Sequence, residues 1–244
     1  MVGLRLSWTH NLSDQNLPSL AIVIPVFNEE KTLADALESI QNLDLEATDE
    51  LVFVDGGSTD KTKQLILDAG FRCLTSAQGR AKQMNKGAAN TNSDIILFLH
   101  IDTEISSSNI SNIKKTYNQG YVSGRFNIRL SESNISYRII SFFINSRSSL
   151  SKISTGDQAM YVARDVFEDI GGFPELPLME DIALSKKLKS IGRVACLKDT
   201  LITSSRRWQK HGIAKTVALM WKLRFLYWLG VSPERLAKMY RDAR

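Results

Sequence analysis

The chain has 244 residues, which suits one large domain or one domain with an appendage. At 43% hydrophobic and 23% charged it can bury a full core without staples, which argues against a disordered chain. The net charge of +5 is uneven: ten Lys/Arg against two Asp/Glu from Arg206 to Arg244 give a +8 tail, and residues 1–205 sum to −3. Cys73 and Cys196 have no metal-ligand spacing and suggest a reducing compartment rather than a disulfide scaffold, so a cytoplasmic location is expected. The start "MVGLRLSWTHNLSDQ" lacks a long apolar core and a clear cleavage site and reads as an arm. The sequons at Asn11, Asn109 and Asn134 are read as chance in such a chain. No uncharged apolar run approaches the roughly 18 to 20 residues that span a bilayer.

The first element, "SLAIVIPVF" (19–27), is a continuous β-rich run, as in a strand buried on both faces. "NEEKTLADALESIQNL" follows, with Leu33, Leu37 and Ile40 at helical spacing. "DELVFVDGGSTDKT" is a second strand entering a Gly-rich loop, where Ser58 or Thr59 is a candidate cap for the next helix. "FRCLTS" reads as a short strand, "GRAKQMNKGAANT" as a helix and "DIILFLHID" as another buried strand. This alternation predicts an α/β layer with a mostly parallel central sheet, in which ligands gather at the carboxyl ends of strands. Asp55 and Asp102 both fall at such ends and face one crevice if their strands are adjacent.

Further on, "GYVSGRFNIRL" reads as a strand and "NISYRIISFFINSRSS" as an amphipathic helix. "STGDQAMYVARDVFEDIGGFPE" reads as a strand-like piece, a short helix and a turn. "MEDIALSKKLKSIG" is a helix with acids in its first turn and Gly192 near its end, and "RVACL" is a short strand. The tail is helical, interrupted at "GVSP". No repeat or low-complexity segment is present.

Asp55 reads either as a turn aspartate or as a carboxylate accepting hydrogen bonds from a base or ribose. Gly56 beside it allows close approach of a ligand to the backbone. No GxGxxG follows a strand and no GxxxxGK[ST] occurs, which argues against a dinucleotide dehydrogenase and a P-loop NTPase. Glu180 and Asp181 are either acids complementing a helix dipole or a catalytic pair. Arg80 is either a solvated charge or a diphosphate contact. Asn28 and Glu29 are as natural for an N-cap and a first-turn acid as for a ligand loop.

The segments "SLAIVIPVFNEEKTLADALESI", "ELVFVDGGSTDKT", "GRAKQMNKGA", "ILFLHIDT" and "MEDIALSKKLK", in this order and spacing, resemble family 2 glycosyltransferases over roughly residues 19 to 210. Each piece is weakly specific; the combination is highly specific. "LHIDT", "TGDQAMYV" and "SSRRWQKHG" look most like the group called radical-SAM/selenodomain-associated transferase 2, some of which are described as arsenosugar-biosynthesis glycosyltransferases. The resemblance implies the GT-A fold, a nucleotide-sugar-binding α/β sandwich over residues 19–210, with an arm at 1–18 and a basic, aromatic helical tail at 211–244.

It also implies roles. Asp102 matches the second aspartate of the family's Asp-x-Asp motif, the usual metal contact. His100 stands in the first place, where it can meet the ribose, a metal-bound water or the metal; Mn2+ tolerates imidazole better than Mg2+. Such a divalent ion stabilises the departing diphosphate. Pro25, Asn28, Glu29, Asp55, Gly56 and Arg80 match the nucleotide and diphosphate side. Asp181 matches the general base of an inverting displacement, with Glu180 supporting. Gly156, Asp157 and Gln158 match an acceptor loop, with a turn before a strand as the plain alternative. "SSRRWQKHG" partly matches the Gln-x-x-Arg-Trp motif of processive relatives, but Ser204 or Ser205 replaces the Gln. That departure counts against polymer synthesis, while Arg207 and Trp208 remain candidate contacts to diphosphate and acceptor. His211 is a candidate late metal ligand.

The implied partners are a nucleotide-sugar, by default a UDP-sugar, and a small-molecule or lipid-linked acceptor. The tail reads as a helix packed on the domain or in a homodimer. Its other reading is an interfacial helix with Trp221, Tyr227 and Trp228 at the headgroup level, at the inner face of the cell membrane. No nucleic-acid motif accompanies the charge. A degenerate nucleotide-sugar-binding protein is the main alternative. A sugar-1-phosphate nucleotidyltransferase ranks lower, because "PVFNEEKT" stands where a Gly-rich, basic phosphate loop belongs.

Overall fold

The computed structural model describes residues 17–242, except for the side chains of Arg207 and His211. Strands β1 (Leu20–Val26), β2 (Glu50–Asp55), β3 (Cys73–Thr75) and β4 (Ile95–Phe98) alternate with helices α1 (Glu30–Gln41), α2 (Thr62–Asp68) and α3 (Arg80–Ala88). Next come β5 (Thr103–Glu104), α4 (Ser107–Asn118), β6 (Ser123–Leu130) and α5 (Ile135–Ser151). A 3-10 turn (Gly156–Gln158) leads to β7 (Met160–Ala163), α6 (Arg164–Asp169), α7 (Glu180–Ile191) and β8 (Val194–Thr203). The chain then continues through α8 (Arg206–His211), α9 (Ile213–Trp228) and α10 (Pro233–Asp242).

The eight strands form one sheet in the order β3-β2-β1-β4-β7-β6-β8-β5. The first four pair in parallel, as the alternation predicts. β7 enters antiparallel between β4 and β6, and β6 pairs parallel with β8, so the sheet is mixed. β1 is buried along its whole length. Its Leu20, Ile22, Ile24 and Val26 pack with Leu33, Leu37 and Ile40 of α1, Ile66 of α2, and Ile110 and Ile113 of α4. Val23 points to the other face, with Val52, Val54, Met84, Phe167, Leu184 and Leu188. This alternation of two faces along one strand makes a three-layer sandwich, with α1, α2 and α4 on one side and α3, α6 and α7 on the other. Gly87 lets α3 approach β1 closely; a Cβ there would lie 2.2 Å from Val23 Cγ1.

Three local expectations are corrected. The helix after β2 starts at Thr62 without a side-chain cap, and the Ser58 hydroxyl accepts the Asn28 N–H at 2.9 Å instead. The N-cap of α1 is Glu29, because Asn28 takes a left-handed φ of 53° and turns its Oδ1 to the Thr59 N–H at 2.9 Å. "RVACL" is only the start of the ten-residue β8.

Candidate active site

β2 and β4 flank β1 rather than each other, so the adjacency expected of Asp55 and Asp102 is not met. The three strands are parallel, and their carboxyl ends share one edge of the sheet. That edge is closed by hydrogen bonds between its loops. Gly56 N–H donates to Val26 O at 3.0 Å, Glu29 N–H to Thr62 Oγ1 at 2.8 Å, and Glu30 N–H to Asp60 Oδ2 at 3.2 Å. Asp55 is buried and accepts the N–H groups of Gly57 and Ser58 at 3.1 Å, the turn geometry read from the sequence. Pro25 is buried inside β1 opposite Val54.

Gln83 of α3 was not singled out in the sequence. Its buried amide donates to both Val26 O and Val54 O at 2.8 Å, joining the ends of β1 and β2. A Cβ on Gly56 would stand 3.0 Å from that amide, so the glycine makes room for it.

Asp102 follows β4 with its side chain 34% exposed. Burial pushes its pKa up, and Arg206 and then Arg80 pull it back. Arg206 Nη2 stands 3.8 Å from Asp102 Oδ2 and 3.3 Å from Glu29 Oε2. Arg206, one residue before the expected Arg207, is therefore the described arginine of this mouth; the side chains of Arg207 and His211 lie outside the described residues. Among the described residues, no three of His, Cys, Asp and Glu come together as a metal site. Asp102 can supply one carboxylate oxygen to a hard cation whose other ligands are phosphate oxygens and water.

His100 packs on the loop at Gly156: a Cβ there would lie 2.5 Å from its Nε2, so only glycine admits the ring. The Gly156 N–H in turn donates to Asp181 Oδ2 at 3.0 Å, and the Ile182 N–H donates to Oδ1 at 2.7 Å. Met179, at a left-handed φ of 69°, turns the chain into α7 so that Glu180 and Asp181 form its first residues. Burial pushes both acids up; Glu180, further raised by the Asp181 charge, reaches about 7. The Ile182 and Gly156 N–H groups and the charge of Arg224 oppose that rise at Asp181, so its ionised form has three partners in an otherwise unfavourable buried site. Arg80 acts on Glu180 as well as on Asp102, and Asp157 on both Asp102 and Asp181. The mouth at Asp102 and the acidic pair thus share one set of charges.

Two further arginines, absent from the sequence reading, share this field. Arg147 of α5 is held down to about 10 by burial and by Arg224 of α9, against the carboxylates of Asp157 and Asp181. Arg147 Nη2, Arg224 Nε and Asp157 Oδ1 are buried without a hydrogen-bond partner among the described residues. Gln158 departs from its expected acceptor role. It is fully buried, its Oε1 accepts the Thr155 N–H at 3.2 Å and its amide donates to Phe126 O at 3.4 Å, so it braces the loop from within. Trp208 packs with Leu130, Tyr137 and Ile140.

A profile of the family described as Glycosyl transferase family 2 matches residues 21–171. The chain belongs to this glycosyltransferase family. Over 192 residues it is 26% identical to the poly-beta-1,6-N-acetyl-D-glucosamine synthase of Staphylococcus epidermidis, covering 71% of this chain and 46% of that protein. It is 28% identical over 113 residues to the GalNAc(5)-diNAcBac-PP-undecaprenol beta-1,3-glucosyltransferase of Campylobacter jejuni, covering 43% and 36%. The chain therefore spans less than half the length of these curated relatives. A mannosyltransferase of Pyrobaculum calidifontis, in complex with GDP-Man and Mn2+, superposes with a TM-score of 0.68 at 16% identity over 94% of this chain and 70% of that one. Staphylococcus aureus TarS superposes with a TM-score of 0.61 at 18% identity, over 82% and 64%. The fold is GT-A, as the sequence resemblance implies.

Proposed function

We propose that this family 2 glycosyltransferase moves a sugar from a nucleotide-sugar, by default a UDP-sugar, to an acceptor hydroxyl with inversion. The observation that carries this reading is Asp181, a carboxylate fixed by two backbone N–H groups and coupled through Asp157 and Glu180 to the mouth at Asp102. The acceptor oxygen attacks the anomeric carbon, the bond from that carbon to the diphosphate breaks, and the hydroxyl proton passes to Asp181. Asp102 would hold a Mg2+ or Mn2+ ion, which when bound neutralises charge on the leaving diphosphate. Arg206 and Arg80 add positive charge at the same mouth. Glu180, buried beside Asp181 and raised to about 7, supports that position. Acceptor recognition falls to Asp157, Arg147 and Arg224, each with one buried polar atom that lacks a hydrogen-bond partner among the described residues, rather than to Gln158 or Trp208. Closer placement with the radical-SAM/selenodomain-associated group rests on the sequence resemblance.

The experiment is thermal unfolding with UDP, GDP, dTDP or ADP, each with and without Mn2+ or Mg2+. Saturation near 100 times the dissociation constant stabilises by about 2.7 kcal/mol. One nucleotide should shift the transition in a metal-dependent way, and Asp102→Ala should abolish that shift. Asp181→Asn should retain the shift and lose turnover of the matching sugar donor. No shift with any pair would point to a degenerate relative; full turnover by Asp181→Asn would remove the base assignment.

A further inference from the structure

Two helices leave apolar stripes uncovered. On α5, Ile135, Ile139, Phe142, Phe143 and Leu150 are exposed, Leu150 by 85%. On α9, Trp221, Phe225, Trp228 and Leu229 are exposed, Trp228 by 74%. In each helix the spacing i, i+4, i+7, i+8 draws these residues onto one stripe. Phe142 meets Phe143 edge-on with ring centroids 5.8 Å apart, and Phe225 stacks on Trp228 at 6.1 Å.

The stripes belong to one surface. Tyr137, Ile140 and Ile144 of α5 share a cluster with Ile213 and Val217 of α9, and further along both helices Arg147 lies in the field of Arg224. The two helices therefore lie side by side and run in the same sense. At about 100° per residue, the α9-facing residues of α5 sit on one flank of its stripe, and the α5-facing residues of α9 on the opposite flank of its own. Parallel neighbours that touch by opposite flanks present their stripes in the same direction.

The charges indicate what covers this surface. Neither helix contains Asp or Glu. Exposed Lys215 and Lys222, seven residues apart, border the α9 stripe on the side away from α5, and exposed Arg138 borders the α5 stripe on the side away from α9. Exposed Arg235, Lys238 and Arg241 follow on α10. A second copy of the chain placed by two-fold symmetry would set this cationic patch against itself. An anionic bilayer complements it, with the aromatic rings at the headgroup level and the basic rim on the phosphates. Among the described residues no helix is long and apolar enough to cross a membrane, so contact through these helices is peripheral.

We propose that α5 and α9 together form a platform that docks on a bilayer surface rich in anionic lipid. This corrects the tail-only reading at Tyr227, which turns inward to the cluster of Met179, Ile182 and Leu223 while Phe225 takes the outer face. The inner side of α9 carries Arg224 and Tyr227, both in the field of Asp181, so the docked helix lies between the bilayer and the acidic pair.

The test is co-sedimentation with vesicles of phosphatidylcholine alone or mixed with phosphatidylglycerol, at low and high salt. The wild type should sediment with the anionic vesicles at low salt and be released by high salt. Trp221→Ser/Phe225→Ser and Lys215→Glu/Lys222→Glu should each bind about tenfold more weakly or worse. All these positions are exposed, so the variants should keep their unfolding temperature. Failure of the wild type to bind anionic vesicles, or equal binding by the variants, overturns the proposal. So does a wild-type dimer that Trp228→Ser dissociates, which would assign the stripes to a second copy. The readout is lipid binding alone and does not depend on the role of Asp181.

Discussion

At the scale of single residues the acidic pair at the start of α7 is informative, because its two members are sequence neighbours in different surroundings. Asp181 accepts two backbone N–H groups, whereas Glu180 is buried beside that charge. Below its ordinary value of 4.5, Glu180 is protonated whether the chain is folded or not, and it costs nothing. As pH rises from there through about 7, the unfolded chain ionises first and stability falls. Glu180→Gln should therefore gain stability over the wild type as pH goes from 5 to 8 in urea titrations. Parallel stability profiles would place the shared proton elsewhere. Asp102 and Asp181 were legible in the sequence because a carboxylate at a strand end or helix start is visible in one dimension. Gln83, Arg147 and Arg224 were not, since each sits in an ordinary helical pattern and gains its role from a partner far along the chain. Arg206 was not singled out, since nothing in "SSRRW" tells it from its neighbour.

At the scale of elements, the βα alternation up to Asp102 could be read directly, because β1, β2 and β4 are buried runs separated by amphipathic helices. Two elements resisted. α4 was missed because "SSNISNIKKTYN" is polar; its buried Lys114 is matched by Asp49 at 2.8 Å, a pairing that no local pattern announces. β8 was cut short because polar Lys198 and Asp199 interrupt the apolar run, at the register shift where they have no partner on β6. The join between the ends of β1 and β2 makes a prediction at this scale. Gln83→Leu fills similar space but removes the amide donor from Val54 O and from Val26 O, which keeps only the Gly56 N–H. It should cost about 1–3 kcal/mol in urea unfolding. Nucleotide affinity should fall with it, because the Gly56 loop rests on that amide. Stability unchanged from wild type would show that water or the backbone replaces the amide.

At the scale of the whole molecule, the tail is built into the catalytic domain. Leu223 of α9 and Leu236 of α10 are fully buried and share a cluster with Met179 and Ile182, the residues that flank Glu180 and Asp181. The packing that seats the tail therefore also fixes where α7 begins. The same helix brings the charge of Arg224 to bear on Asp181, where it favours the ionised form against burial. Removing that charge should let burial raise the pKa of Asp181 further. Arg224→Met, which keeps the length and apolar stem, should shift the acid limb of the kcat/KM profile to higher pH. Activity should then recover as pH is raised toward 9, which simple loss of packing would not produce. A pH profile that only scales down would reduce Arg224 to a packing residue. A profile that moves would make a helix outside the sheet part of the machinery that sets the charge on Asp181.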